Sequence, residues 1–333
     1  MRGGRYVAVD CDPAGAALTL SHHFGGNATP APFRDDLASG AALKWAASAE
    51  RDDFLGGAKW AYNDHFDVDG FLAAWVVLHP DEALPLKDEV LAAAAAGDFE
   101  EWTGGRAVKF AILGEWIDDP KFSGVAREAL GGRPWPSEEA LYARVLGELP
   151  ELLRHPERME GLWRRPYDRV VREVDAIDRG RARVEERPRA HLSVAHAPRE
   201  LTSRAFLARS RGDRMLQAVR VDGGFMYRFR YRPYLGYRIV SRPTTPVHEM
   251  GALARALNRE WPREGERWRA RGWWTRELRL TASRVGRSRL PKTEPEVAVA
   301  AIERALEGLD AGAAGAAGAG AAAQAAPRTM GAG

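Results

Sequence analysis

His65, Asp67 and Asp69, three side chains able to grip a cation, stand at strict two-residue spacing and run straight into Gly70 and an apolar, helix-like stretch. Few local patterns restrict a chain so strongly. In an extended segment, side chains alternate between faces, so this imidazole and these two carboxylates point the same way. Phe66 and Val68 then point oppositely, into a core. A strand over 59–67 followed by a helix over 70–79 is the expected frame. Converging histidine and aspartates at such a junction suit a hard-to-borderline divalent cation, Mn²⁺ or Mg²⁺. Without one, three titratable groups on one face would repel or shift each other. The plain alternative is that Asp69 caps the helix while Asp67 stays solvated. A cap explains one aspartate and leaves the histidine at matching spacing unexplained.

At 333 residues the chain has room for two domains, each with its own core. The longest unbroken apolar run, Phe71 to Leu78, is far too short for a bilayer, so no membrane association is expected. The segment Met1–Arg5 leads into the strand-like Tyr6–Val9 without the apolar region of a secretion signal. Cys11 is the single cysteine, which excludes an intrachain disulfide and a multi-cysteine zinc site. A cytoplasmic location is the expectation. The net charge of +3 hides an asymmetry: residues 1–150 carry 13 Lys and Arg against 24 Asp and Glu, and residues 151–333 carry 36 against 22. An acidic half suited to cations and a basic half suited to phosphate would divide the work on an anionic substrate. Interleaved Glu and Arg over 151–190 equally describe solvated helices.

Further along, Tyr6–Asp12 and Ala16–Ser21 read as strands joined by a Pro- and Gly-containing turn. Apolar spacing predicts helices over 36–50, 86–96 and 107–117. Residues 135–184 read as a helical connector, kinked or split at Pro166. The pattern then turns strand-like, with Met215–Val221 pairing Phe225–Tyr231 across Asp222-Gly223-Gly224, another strand at Tyr237–Val240 and one at Glu277–Leu280. Helices return at 248–260 and 294–306, and residues 310–333, almost all Ala and Gly, read as a disordered tail.

The run from His65 to Ala74 resembles the first metal-binding motif of the DHH phosphoesterase superfamily, His-x-Asp-x-Asp followed by Gly or Ala and a helix of small residues. A closer resemblance is to uncharacterised bacterial proteins sharing an Asn-x-His-Phe-Asp-x-Asp-Gly core. These also carry an earlier loop like Ser21–Pro30 and a later Ala-Gly-Asp-Phe, and the likeness covers most of residues 1–310. The superfamily resemblance implies an α/β fold: a DHH-like metal-binding domain over 1–134, the helical connector over 135–184 and a smaller α+β basic domain over 185–309. It implies Mn²⁺- or Mg²⁺-dependent cleavage of a phosphoester in a small phosphorylated substrate or short oligonucleotide. His65, Asp67 and Asp69 match the motif directly, and Asp98 matches a later lone aspartate. The Asp-His-His element has no counterpart after residue 98, where His155, His191, His196 and His248 stand singly. The only adjacent pair, His22-His23, lies upstream. Either the order of elements is rearranged, or a second metal position is missing and the protein is a catalytically silent binder of nucleotide or nucleic acid.

Each remaining candidate has a bland counterpart. Asp98, after a glycine-terminated helix, also suits an N-cap. His22 and His23 alternate faces if extended, so at most one joins a site, and His22 directly follows the strand. Asp10 can supply a carboxylate from the first strand. Asp64 points away in a flat strand. Arg228, Arg230 and Arg232 alternate with aromatic residues and form a cationic row suited to phosphate oxygens, or else a solvated sheet face. Arg287, in Gly286-Arg287-Ser288-Arg289, is a further candidate phosphate contact. Trp273-Trp274 read as packing residues.

Overall fold

The computed structural model describes residues 5–25, 29–271, 277–284 and 287–325. The chain divides into two compact units, and their boundaries cross the linear domain order. The first comprises 1–176, 202–209 and 232–243; the second comprises 177–201, 210–231 and 244–333. The 135–176 part of the expected connector therefore belongs to the first unit. Among the described residues no helix is long and apolar enough to cross a membrane.

Three short parallel strands organise the first unit: β1 (Tyr6–Val9), β2 (Leu18–Leu20) and β3 (Trp60–Tyr62), in the order β2-β1-β3. The Pro-Gly turn after β1 does not make a hairpin, because Val7, Ala8 and Val9 pair in parallel with Leu18, Thr19 and Leu20. Around this sheet lie α1 (Ala38–Ala46), α2 (Val68–Leu78), α3 (Lys87–Asp98), α4 (Gly105–Ile117), α5 (Glu138–Val145) and α6 (Glu160–Asp178). α6 runs unbroken through Pro166. Ile117, Val125, Leu141 and Val145 form a buried cluster against which Phe66 packs, so the motif is anchored to a core.

The second unit is an antiparallel-rich sheet. It contains β4 (Arg183–Arg187), β5 (Leu192–Ala197), β6 (Arg214–Val221), β7 (Gly224–Tyr231), β8 (Glu266–Arg271), β9 (Glu277–Arg284) and β10 (Arg287–Arg289). The order is β10-β9-β7-β6-β5-β4, with β8 also pairing β9; only β5 and β6 are parallel. The β6–β7 hairpin forms in the expected place, with Gly223 at φ +85° in its turn. Two helices, α7 (Met250–Arg259) and α8 (Pro295–Ala325), complete the unit. α8 continues well past Asp310, where composition pointed to a structureless tail. Alanine has the highest helix propensity, and once a helix has been nucleated each further residue adds a bond cheaply. Residues 237–240 are not a strand. Trp273-Trp274 and the side chain of Arg287 lie outside the described residues.

Candidate metal centre

All three strands of the first unit are parallel, so their carboxyl ends lie on one edge, where α/β sheets collect ligands. β1 ends at Asp10, β2 at Ser21-His22-His23, and β3 at Asn63-Asp64-His65. Asp10 takes the left-handed conformation, φ +52°, which Asp tolerates better than most residues.

Asp10 is fully buried, and three imidazoles surround it. Nε2 of His22 and Nε2 of His23 each lie 3.1 Å from its Oδ1, and His65 Nε2 lies 3.3 Å from its Oδ2. The same Nε2 of His22 lies 3.4 Å from Asp98 Oδ2 and 3.8 Å from Asp69 Oδ2. These approaches are close but badly aimed for hydrogen bonding. Both Asp10 oxygens, Nε2 of His22 and His23, and Asp98 Oδ2 are buried with no hydrogen-bond partner. Buried polar atoms without partners are costly. Atoms that crowd together and yet point past one another converge on common points, as cation ligands do.

Two such points are defined. Asp10, His22, Asp69 and Asp98 form a buried group, and Asp10, His23 and His65 form a second, half-exposed one; within each, the ligand atoms lie within 4.8 Å of one another. Asp10 belongs to both. The surroundings fix which ring nitrogen faces inward. His22 Nδ1 donates to the Asp36 carbonyl at 2.5 Å, leaving Nε2 as the inward atom. His65 Nδ1 bonds Asp64 Oδ1 at 2.7 Å. Asp64 therefore orients His65 instead of pointing away.

The expected extended frame is corrected here. β3 stops at Tyr62, so His65 and Asp67 sit in a loop and Asp69 lies in the first turn of α2. Asp67 is the cap of α2: its Oδ1 accepts from Gly70 N at 2.8 Å, and its Oδ2 lies 3.0 Å from His65 Nε2. Asp69 caps a different helix, accepting from Ala38 N at 2.6 Å and Ser39 N at 2.9 Å at the start of α1. Both aspartates thus cap helices and still border the cluster. Asp98 is the last residue of α3, not an N-cap. His22 and His23 both reach Asp10, because the backbone after β2 is not extended strand.

Close backbone approach makes this possible. A methyl group on Gly70 would sit 2.1 Å from Asn63 Nδ2 and 3.2 Å from Asp10 Oδ2; one on Gly97 would sit 2.6 Å from Val68 Cβ, prising α3 and Asp98 away from α2. Tyr237, from the 232–243 segment, stacks on His22 with ring centres 4.0 Å apart and meets His23 edge-on. Nothing in the sequence marks Tyr237 as part of a site. Asp10 had a usable signal: a carboxylate at the end of a predicted strand.

The charges are mutually dependent. Burial alone would raise the Asp10 carboxyl, but the imidazoles of His22, His23 and His65 hold it well below the usual carboxylate range. Burial disfavours charge on His22, yet Asp10 and Asp98 raise it well above its ordinary value. Asp10 and Asp67 push His65 up to about 12. Burial, with the neighbouring carboxylates Asp67 and Asp69, raises Asp98. Protons on imidazole thus balance the carboxylates, and a cation taken up here would displace them. Burial pushes the Cys11 thiol up to about 12.

The arginines are placed differently. Arg228 is held by Glu200 at 2.7 Å and Glu277 at 2.5 Å, so its charge is already compensated within the second unit. Arg230 lies on the same strand. Arg232 falls beyond the end of β7 and belongs with the first unit, so the expected row of three is broken.

A family model matches residues 2–303: that of DUF6687, a family of unknown function. The chain belongs to this family. No curated protein and no solved structure matches it. The match covers residues of both units.

Proposed function

We propose that this protein is a divalent-metal-dependent phosphoesterase whose centre is built around Asp10 and acts on a phosphorylated or nucleotide-type substrate. The observation that carries this reading is the sharing of one buried, hydrogen-bond-free carboxylate between two groups of ligand atoms. Paired sites bridged in this way suit phosphoester displacement, where attacking and leaving oxygens both need charge stabilisation. The donor set mixes carboxylate with imidazole, which fits Mn²⁺ better than Mg²⁺. Cations so placed supply activation of water and neutralisation of the phosphoryl charge.

The chain's own residues have separable parts. Asp10, His22, Asp69 and Asp98 would hold the buried position; Asp10, His23 and His65, with Asp67 beside them, would hold the accessible one. Asp64 and the Asp36 carbonyl keep the two imidazoles turned inward. Tyr237 covers the face of His22 and excludes water from it. The upstream His22-His23 pair brings adjacent histidines to the centre, which supports a rearranged order of superfamily-type elements.

The test is turnover of bis-p-nitrophenyl phosphate, short oligonucleotides and cyclic dinucleotides by metal-stripped protein with and without Mn²⁺. Mn²⁺-dependent hydrolysis, abolished in Asp10→Asn, is the expected result. Protein that binds Mn²⁺ but turns over nothing in the panel would defeat the catalytic reading.

A further inference from the structure

The sheet of the second unit keeps its aromatic residues on one face, where Phe225, Tyr227, Phe229 and Tyr231 are all buried. Strand alternation turns Arg228 and Arg230 to the other. The registers extend this face across two more strands. Arg228 stands opposite Arg279, and Arg279 opposite Arg269; Arg230 and Arg271 both stand opposite Glu277; Thr281 stands opposite Arg267. Six arginines from β7, β9 and β8 therefore share one face, of which sequence inspection saw only the β7 pair.

Such a row is unfavourable by itself, because like charges directly opposite on neighbouring strands repel. Glu200 and Glu277 relieve the β7 and β9 side, with Glu277 2.5 Å from Arg279 as well as from Arg228. Arg267 and Arg269 are exposed and, among the described residues, make no ion pair; Arg269 Nε donates only to the Thr281 hydroxyl at 3.3 Å. A pocket of about 160 Å³ opens beside Arg228, Arg279 and Gln217 on the same sheet.

We propose that this arginine face binds the phosphate backbone of single-stranded nucleic acid. Neighbouring strands are about 4.8 Å apart and alternate residues along a strand about 6.7 Å apart, so the patch is a compact grid, wide enough for a few consecutive phosphates of one strand. Guanidinium forks suit phosphate oxygens in pairs. Met226 is the one large apolar side chain exposed on this face among the described residues. Firm attachment to a membrane surface draws on inserted apolar residues as well as on charge, and base stacking would require exposed aromatics. Among the described residues this face offers arginines and no exposed aromatic ring, so the recognition we propose is of backbone, indifferent to sequence and strongly salt-dependent. It does not depend on the metal centre of the first unit.

Fluorescence anisotropy with a labelled 20-nucleotide oligothymidylate, titrated from 50 to 200 mM NaCl in EDTA, tests this. Binding that weakens steeply with salt is expected. Arg267→Ala/Arg269→Ala should lose on the order of tenfold in affinity at low salt and flatten the log–log salt slope by about 1.4. Arg267→Lys/Arg269→Lys should retain most of the binding, which separates lost charge from lost folding. No binding at 50 mM NaCl, an unchanged affinity in the alanine pair, or preferential capture by phosphatidylserine vesicles would overturn the proposal.

Discussion

Two fully buried ions, Arg214 in the second unit and Asp10 in the first, are handled in different ways. In the second, Arg214 is fully buried, and its two Nη atoms make four bonds: two to Asp310, at 2.7 and 2.9 Å, one to the Ala190 carbonyl and one to that of Pro246. His248 adds a bond to Asp310 at 2.6 Å. Buried Glu266 likewise accepts from Lys292 N, the Thr293 hydroxyl and Trp261 Nε1. In the first unit, Asp10 is as deeply buried, and neither oxygen has a well-aimed hydrogen bond; three imidazole nitrogens stand 3.1–3.3 Å away instead. Arg214 leaves its Nε without a partner, but its charge is met by the Asp310 carboxylate, and a buried ion paired in this way holds a fold together. An unsaturated one surrounded by ligand-type atoms is held by the fold for something else. Burial alone does not distinguish structure from function; the kind of atoms gathered round the buried charge does.

The sharpest way to break this comparison is to remove the hub. Asp10→Asn should abolish both Mn²⁺ equivalents in titration calorimetry, a greater loss than the roughly 10–100-fold that follows from losing an orienting partner. His65→Ala should remove only the half-exposed equivalent. If both variants lose the same single equivalent, the carboxylate is not shared. Next in size is the contrasting case. Arg214→Leu leaves Asp310 with His248 as its charged neighbour among the described residues and should cost about 3 kcal/mol in urea unfolding, with Mn²⁺ stoichiometry intact. An unchanged midpoint would show that the second unit's ions are as dispensable to the fold as those of the first.

Asp36 gives a pH-resolved test. Burial acts to raise its carboxyl, but bonds from the Ser241 hydroxyl, Val240 N and Ser241 N, with the Arg242 charge, hold it below the usual range. Its folded-state pKa is depressed, so its stabilisation is present above the ordinary value near 4 and is lost as pH falls through the folded value. Asp36→Asn should therefore cost about 1.5–3 kcal/mol at pH 7, and progressively less below about pH 4. A penalty independent of pH would remove the charged bonds as its cause. The smallest expected effect is Asp64→Asn, which loosens the orientation of His65. It should weaken the accessible Mn²⁺ position by roughly tenfold and leave the buried position alone.

Much of this was legible in the chain. His65, Asp67 and Gly70 announced a site because their spacing and the apolar helix after them left few other uses for those residue types. The β6–β7 hairpin followed from alternation and Asp222-Gly223. Asp69 was marked for the right place for a partly wrong reason: its carboxylate faces the cluster from a helical turn, not from a strand, and its main bonds cap α1. The arginine row was misread in the reverse sense. Alternation placed Arg228 and Arg230 on one face correctly, but the carboxylates that occupy Arg228 come from residues 28 and 49 positions away.

What the sequence determined by itself was therefore local: which residues begin helices, which strands alternate, and that a histidine and aspartates meet at one junction. Those follow from backbone periodicity and side-chain chemistry within a few residues. Only the tertiary structure decided that Asp10 stands at the centre, that His22, His23 and Asp98 join it, and that Tyr237 lies against the ring of His22. Parallel pairing brings three strand ends to one edge, and no local rule reports which distant carboxylate will be left without a hydrogen bond once they arrive there.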